Sequence, residues 1–251
     1  MQADVVLTVA ESKRLIGRGL AKHPAVAQAL KEGIVCVAKG STNAYVVEEL
    51  TGQSIDKTQY MTGRTLPKGS DAGAKLSGSL PDCILRRGKW DKEADSKSIV
   101  DEMGPDDVYL KGANALNHER DQAALLIGHP TGGTVGATIG RIIARRIKLI
   151  VPVGLEKSVP MDLKGLSLVI RDADERAPGS PTLWPLETAE IFTEVEALEA
   201  LVPEVLVFPL AAGGLAGAEG SVRLLLDGPK EAVEEASQVV ASCQGEPPFV
   251  A

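Results

Sequence analysis

One pattern narrows the fold of this 251-residue chain more than any other: a short apolar run, a small polar turn, then a helix. Ile34-Val35-Cys36-Val37-Ala38 is apolar, β-branched and bounded by glycines, which reads as a buried strand. Gly40-Ser41-Thr42-Asn43 follows, and Ala44–Leu50 reads as a helix. Asp107–Leu110 is a second strand candidate, followed by Lys111-Gly112-Ala113-Asn114. Ala123–Ile127 is a third, followed by the turn Gly128–Thr134 and a helix to about Arg146. Lys148–Val153 ends in Gly154, and Leu166–Ile170 is read as a further strand. Continuous apolar strands alternating with helices belong to parallel sheets covered on both faces. The expected class is therefore α/β, with a Rossmann-like three-layer parallel sheet over residues 1–175. Such sheets carry ligands in loops beyond the carboxyl ends of their strands.

The remaining elements fit around that sheet. Ser12–Lys31 has helical spacing of Leu15, Ile16, Leu20, Ala27 and Leu30, and Pro24 breaks it in two. Residues 176–184 are rich in proline and glycine and read as a linker. Residues 185–251 then read as helix (Glu187–Leu201), strand (Val205–Leu210), strand (Ser221–Leu226) and helix (Lys230–Ser242): a small C-terminal α+β subdomain. Ala211–Gly220 is a long, glycine-rich connection between its two strands.

With 44% hydrophobic residues, a chain of this length can bury a sizeable core without disulfides or metal. Cys36, Cys83 and Cys243 are odd in number and widely spaced, which fits a reducing cytoplasm and no zinc knuckle. The apolar stretch Ile142–Leu155 carries Arg145, Arg146 and Lys148, so no membrane span is expected. Met1–Ala10 lacks the pattern of a secretory signal. The net charge of −7 argues against nucleic-acid or membrane-surface partners. Its distribution is uneven. Tyr60–Lys92 carries seven basic and three acidic residues, whereas the chain from Asp172 onward carries 15 acids and three bases. The basic middle suggests a local site for a small anion, with Arg64 and Lys68 as a lid; a solvated loop has the same composition.

Three turns carry candidate chemistry. Gly40, Ser41, Thr42 and Asn43 open a helix, where backbone amides and hydroxyls can hold a phosphate or carboxylate; plain N-capping uses the same residue types. Gly132, Gly133 and Thr134 open another, without a P-loop or dinucleotide fingerprint. His129 in that turn is an acid, base or donor candidate, or a structural turn residue. Lys111 ends a strand and can neutralise an anion or an enolate, and Asn114 stands in the same turn. Glu119 is a candidate general base or a solvated loop acid. No metal-ligand pair and no cofactor motif is present.

Together, several pieces resemble ribose-5-phosphate isomerase type A. They are Lys13-Arg14-Leu15-Ile16-Gly17, Gly40-Ser41-Thr42-Asn43-Ala44-Tyr45, Asp101-Glu102, and Lys111-Gly112-Ala113-Asn114-Ala115-Leu116 followed by Glu119. The resemblance covers residues 12–50 and 100–120, and it points to the wider superfamily that includes sugar-phosphate-sensing regulators and coenzyme A transferases. The chain departs from the isomerase where G-T-G-S-T becomes A-K-G-S-T, and where three glycines after the lysine become Gly-Ala-Asn. What the resemblance implies is phosphate binding by Lys13, Ser41 and Thr42, an enediolate oxygen held by Lys111, and a proton moved by Glu119.

The sequence thus leaves three functions open. One is an enzyme acting on a small phosphorylated or carboxylated metabolite by isomerase-like proton transfer. Another is a non-catalytic metabolite sensor with the same pocket. The third is acyl transfer of the coenzyme A transferase type, with Glu219 as the glycine-flanked carboxylate. A homo-oligomer is open in each case. Because ligand loops gather at one sheet edge, the turns Gly40–Asn43, Lys111–Asn114 and Gly128–Thr134 are expected to converge there.

Overall fold

A computed structural model describes residues 1–69 and 71–249. The chain begins with β1 (Gln2–Leu7), which runs into α1 (Val9–Lys22) through Thr8; the Thr8 hydroxyl and Glu11 carboxylate form a reciprocal cap. Pro24 opens α2 (Pro24–Glu32), so the expected break falls there. Next come β2 (Ile34–Val37) and α3 (Ser41–Thr51). A long irregular stretch leads to the hairpin β3 (Cys83–Arg86) and β4 (Lys89–Asp91). Then follow β5 (Val108–Leu110), β6 (Ala115–Asn117), β7 (Gln122–Ile127), α4 (Gly133–Ala144) and β8 (Lys148–Pro152). The last third contains α5 (Leu163–Arg171), β9 (Thr182–Pro185), β10 (Glu190–Phe192), α6 (Glu194–Leu201), β11 (Leu206–Ala212), β12 (Val222–Asp227) and α7 (Lys230–Ala241).

The fold is mixed α/β around a six-stranded, mostly parallel sheet of order β10-β8-β5-β2-β3-β4. β10, β8, β5 and β2 are parallel, and β3 and β4 extend the edge antiparallel. Two three-stranded antiparallel sheets accompany it, β1-β12-β11 and β6-β7-β9. No helix among the described residues is long and apolar enough to cross a membrane.

Four expectations need correction. Leu166–Ile170 is not a strand but part of α5, which Asp162 caps by accepting from the Lys164 amide. Its Leu163 and Leu166 pack with Ala124 and Leu183 while Leu168 and Val169 face solvent; the period is helical. Ala123–Ile127 is a strand, but outside the parallel sheet. Only four residues join it to β6, too few for a parallel crossover, so it pairs antiparallel. Residues 187–201 are not one helix, because β10 precedes α6 and docks on β8. The proposed linker at 176–184 therefore does not separate the sheets. β10 returns to the main sheet, and β1, from the opposite end of the chain, completes the small sheet by pairing with β12.

One core cluster runs from Leu7 through the parallel strands to Val240 and Cys243. α1 is its hinge-free centre post, packed on both α3 and α6. Gly19 permits the second contact: a Cβ there would stand 2.5 Å from the Ala197 Cα. Replacing Gly19 by Val should lower the unfolding free energy by at least about 1–3 kcal/mol. It should appear as a reduced urea midpoint at unchanged m-value; an unchanged midpoint would refute this packing.

Candidate functional site

The three turns do meet. Gly40–Thr42, Lys111–Asn114 and Gly128–Thr134 all contribute to one cavity of about 480 Å³. A single buried side chain sets the first two against each other. The Asn43 amide donates to the Ala38 carbonyl at 2.7 Å and to the Leu110 carbonyl at 3.2 Å, which joins the ends of β2 and β5. The Ala38 amide adds a 2.9 Å bond to the same Leu110 oxygen. Asn114 ties in the third element: its amide donates to Ala124, and its Oδ1 accepts from the Leu126 amide at 3.0 Å.

Both helices that begin at the cavity lack a side-chain cap. Gly40 precedes α3 and Gly132 precedes α4, and neither helix start receives a side-chain hydrogen bond. Thr8, Asp162 and Thr193 cap α1, α5 and α6. Ser41 and Thr42 therefore do not act as simple caps. The Thr42 hydroxyl is buried and has no hydrogen-bond partner among the described residues. Gly132 has φ of 79°, a left-handed conformation, and a Cβ there would sit 2.9 Å from the Trp184 ring and from Gly136. Glycine is required to bring this turn over the start of α4.

The cavity is strongly one-signed. Lys39, Lys97, Lys111 and Lys157 line it, and no Asp or Glu does among the described residues. Lys39 pairs with Asp82 at 3.3 Å and donates to the Gly78 carbonyl. Lys157 donates to the Ala113 carbonyl at 3.0 Å. Lys111 is anchored through its backbone amide to Ile150. Burial and the neighbouring Lys157 charge lower its ammonium from 10.5 to about 8. The His129 Nδ1 lies 2.9 Å from the Thr131 hydroxyl. No group of three or more His, Cys, Asp or Glu is placed to hold a metal among the described residues.

Of the residues singled out from sequence, Lys111, His129, Gly40, Ser41, Thr42, Asn114, Gly132, Gly133 and Thr134 line the cavity. Asn43 stands behind it as the clamp. Glu119 does not reach it. This residue is exposed in the turn between β6 and β7, three strand residues beyond Asn114, or about 10 Å along the hairpin. Asp101 and Glu102 form surface ion pairs with Arg141 and Arg86. Glu219 accepts from the Gly217 amide within its own exposed loop. None of the seven basic residues of Tyr60–Lys92 lines the cavity, although Thr62 and Gly63 do. Arg64 instead donates to the Leu76 carbonyl. Lys39, Lys97 and Lys157 went unrecognised; Lys157 sits just past the β8 strand end, in a position comparable to Lys111.

No family model, curated protein or solved structure matches the chain. The site must be read from its own chemistry.

Lys13 does not line the cavity; it belongs to a buried group near Lys157. It is 7% exposed, and burial lowers it to about 8 against the pull of Glu156 and Glu194. Glu194 is fully buried and accepts from the Leu155 amide at 2.9 Å. Burial and the Glu156 charge push it up to about 7. A carboxyl whose folded pKa is raised stabilises the fold below its unfolded value and loses that contribution as pH rises. Stability should therefore fall between about pH 4.5 and pH 7, by on the order of 3 kcal/mol from Glu194. His118, raised by Glu196, adds a fall of the same sign above pH 6.5. Urea denaturation across this range tests it: Glu194→Gln should flatten the slope between pH 4.5 and 6.5, and an unaltered slope would contradict the assignment.

Proposed function

We propose that the cavity binds a small phosphorylated or carboxylated metabolite. The observation that carries this reading is the union of two helix starts without side-chain caps, four lysines and, among the described residues, no acid around one space of about 480 Å³. Helix N-termini favour anions through their free amides and dipole. The buried Thr42 hydroxyl, without a partner among the described residues, supplies an additional donor at the same place. The volume is that of an ordinary small-molecule site.

Support for the wider reading is of two kinds. The four parallel strands, with the turns after β2 and β5 at one edge, favour a Rossmann-like arrangement of the kind found among sugar-phosphate isomerases and sensors. Three buried, unpaired cysteines favour a reducing, cytoplasmic setting. Proton transfer through Glu119 is not favoured, because that carboxylate lies outside the cavity. Metabolite binding is the function the geometry supports best.

Inorganic phosphate tests it by thermal unfolding. A site with Kd of about 0.1 mM gains about 2.7 kcal/mol at 10 mM ligand, which is several degrees in Tm for a chain of this size. Thr42→Val and Lys157→Met should each remove most of that rise. Equal Tm in phosphate and in chloride of the same ionic strength would overturn the proposal.

A further inference from the structure

Lys111 differs from the other lysines of the cavity. Lys39 has an acidic partner in Asp82, Lys157 is held by the Ala113 carbonyl, and Lys97 is exposed to solvent. The Lys111 ammonium has no acidic partner among the described residues, and its one hydrogen bond is a long 3.4 Å contact to the adjacent Gly112 carbonyl. Its backbone is fixed by the bond from its amide to Ile150 at the end of β5, so the side chain starts from a rigid strand end. A second cation, Lys157, lies next to it, and the same cavity holds the two helix starts and His129.

We propose that Lys111 is an imine-forming nucleophile toward the carbonyl carbon of a phosphorylated aldehyde or ketone. This rests on the anion-binding reading above, since the helix starts must hold the phosphate while the amine reacts. A desolvated lysine beside another cation is one of the established ways to activate an amine. Burial and the Lys157 charge bring its protonation equilibrium to about 8, so about a quarter is free amine at pH 7.5, against about a thousandth for an ordinary lysine. The step balances without any oxidant or reductant. The amine lone pair adds to the carbonyl carbon, forming the C–N bond as the C=O π bond breaks. One proton, supplied by His129 or solvent, lets the former carbonyl oxygen leave as water, and a protonated C=N bond remains. The negative phosphate offsets the retained positive charge.

Pyridoxal 5′-phosphate, an aldehyde bearing a phosphate, is a suitable probe. The intact protein is incubated with it, reduced with borohydride, digested and mapped by mass spectrometry, with phosphate-dependent Tm measured in parallel. The expected result is incorporation at Lys111 at least tenfold faster than at Lys39, Lys97 or Lys157. Its rate should be half-maximal near pH 8, and it should be suppressed by inorganic phosphate. Lys157→Met should slow labelling of Lys111 at pH 7.5 several-fold by removing the neighbouring charge. Labelling spread evenly over the cavity lysines, or absent from Lys111, while phosphate still raises Tm would refute the nucleophile and leave the anion site standing. If phosphate raises no Tm, the anion site itself fails.

Discussion

The cavity depends on one amide group. Asn43 is buried at the first turn of α3, and its two hydrogen bonds to Ala38 and Leu110 close the ends of adjacent parallel strands. Without a donor there, the Ala38 carbonyl would lose its partner, at a cost of about 1–3 kcal/mol, and Leu110 would keep only its bond from the Ala38 amide. The bond sets the start of α3 beside Lys111, and it converts two turns 70 residues apart into one wall. Parallel pairing does the rest, since β2, β5 and β8 all point their carboxyl ends the same way. Lys111 and Lys157 follow two of those ends, which is why two cations come to lie together there, with burial acting on Lys111.

The charge arrangement has the same origin. In a chain of net charge −7, four lysines from four separate segments line the cavity and, among the described residues, no acid does. Arg14 engages Glu48, Glu49 and Glu246, and Arg86 engages Asp91 and Glu102. A window along the sequence sees only local density, so it selected Tyr60–Lys92, whose cations are spent on such pairs or on solvent. Topology, not composition, concentrates positive charge.

Much of the site was nonetheless legible. The strands before Gly40 and Lys111 announce themselves by short β-branched apolar runs, and the small polar residues after them mark the turns. The turn at Gly128–Thr134 was found for an incomplete reason: it follows β7, a strand of a different sheet. It reaches the cavity because Asn114 bonds to that strand, a contact no local pattern shows. Leu166–Ile170 misled because a five-residue apolar run suits either element, and the deciding cap at Asp162 lies upstream. β1 leaves no local signal because its strand partner, β12, is more than 200 residues away. Glu119 was carried by a resemblance whose following segment is a hairpin here, which turns that carboxylate away.

The central claim is that an anion sits between the starts of α3 and α4. Crystals soaked in selenate, whose selenium scatters anomalously, locate such an ion directly. An anion bound there gives an anomalous peak within hydrogen-bond reach of the Thr42 hydroxyl and the Gly133 or Thr134 amide, with Lys111 or Lys157 alongside. Peaks confined to surface lysines, with that position empty, would contradict it.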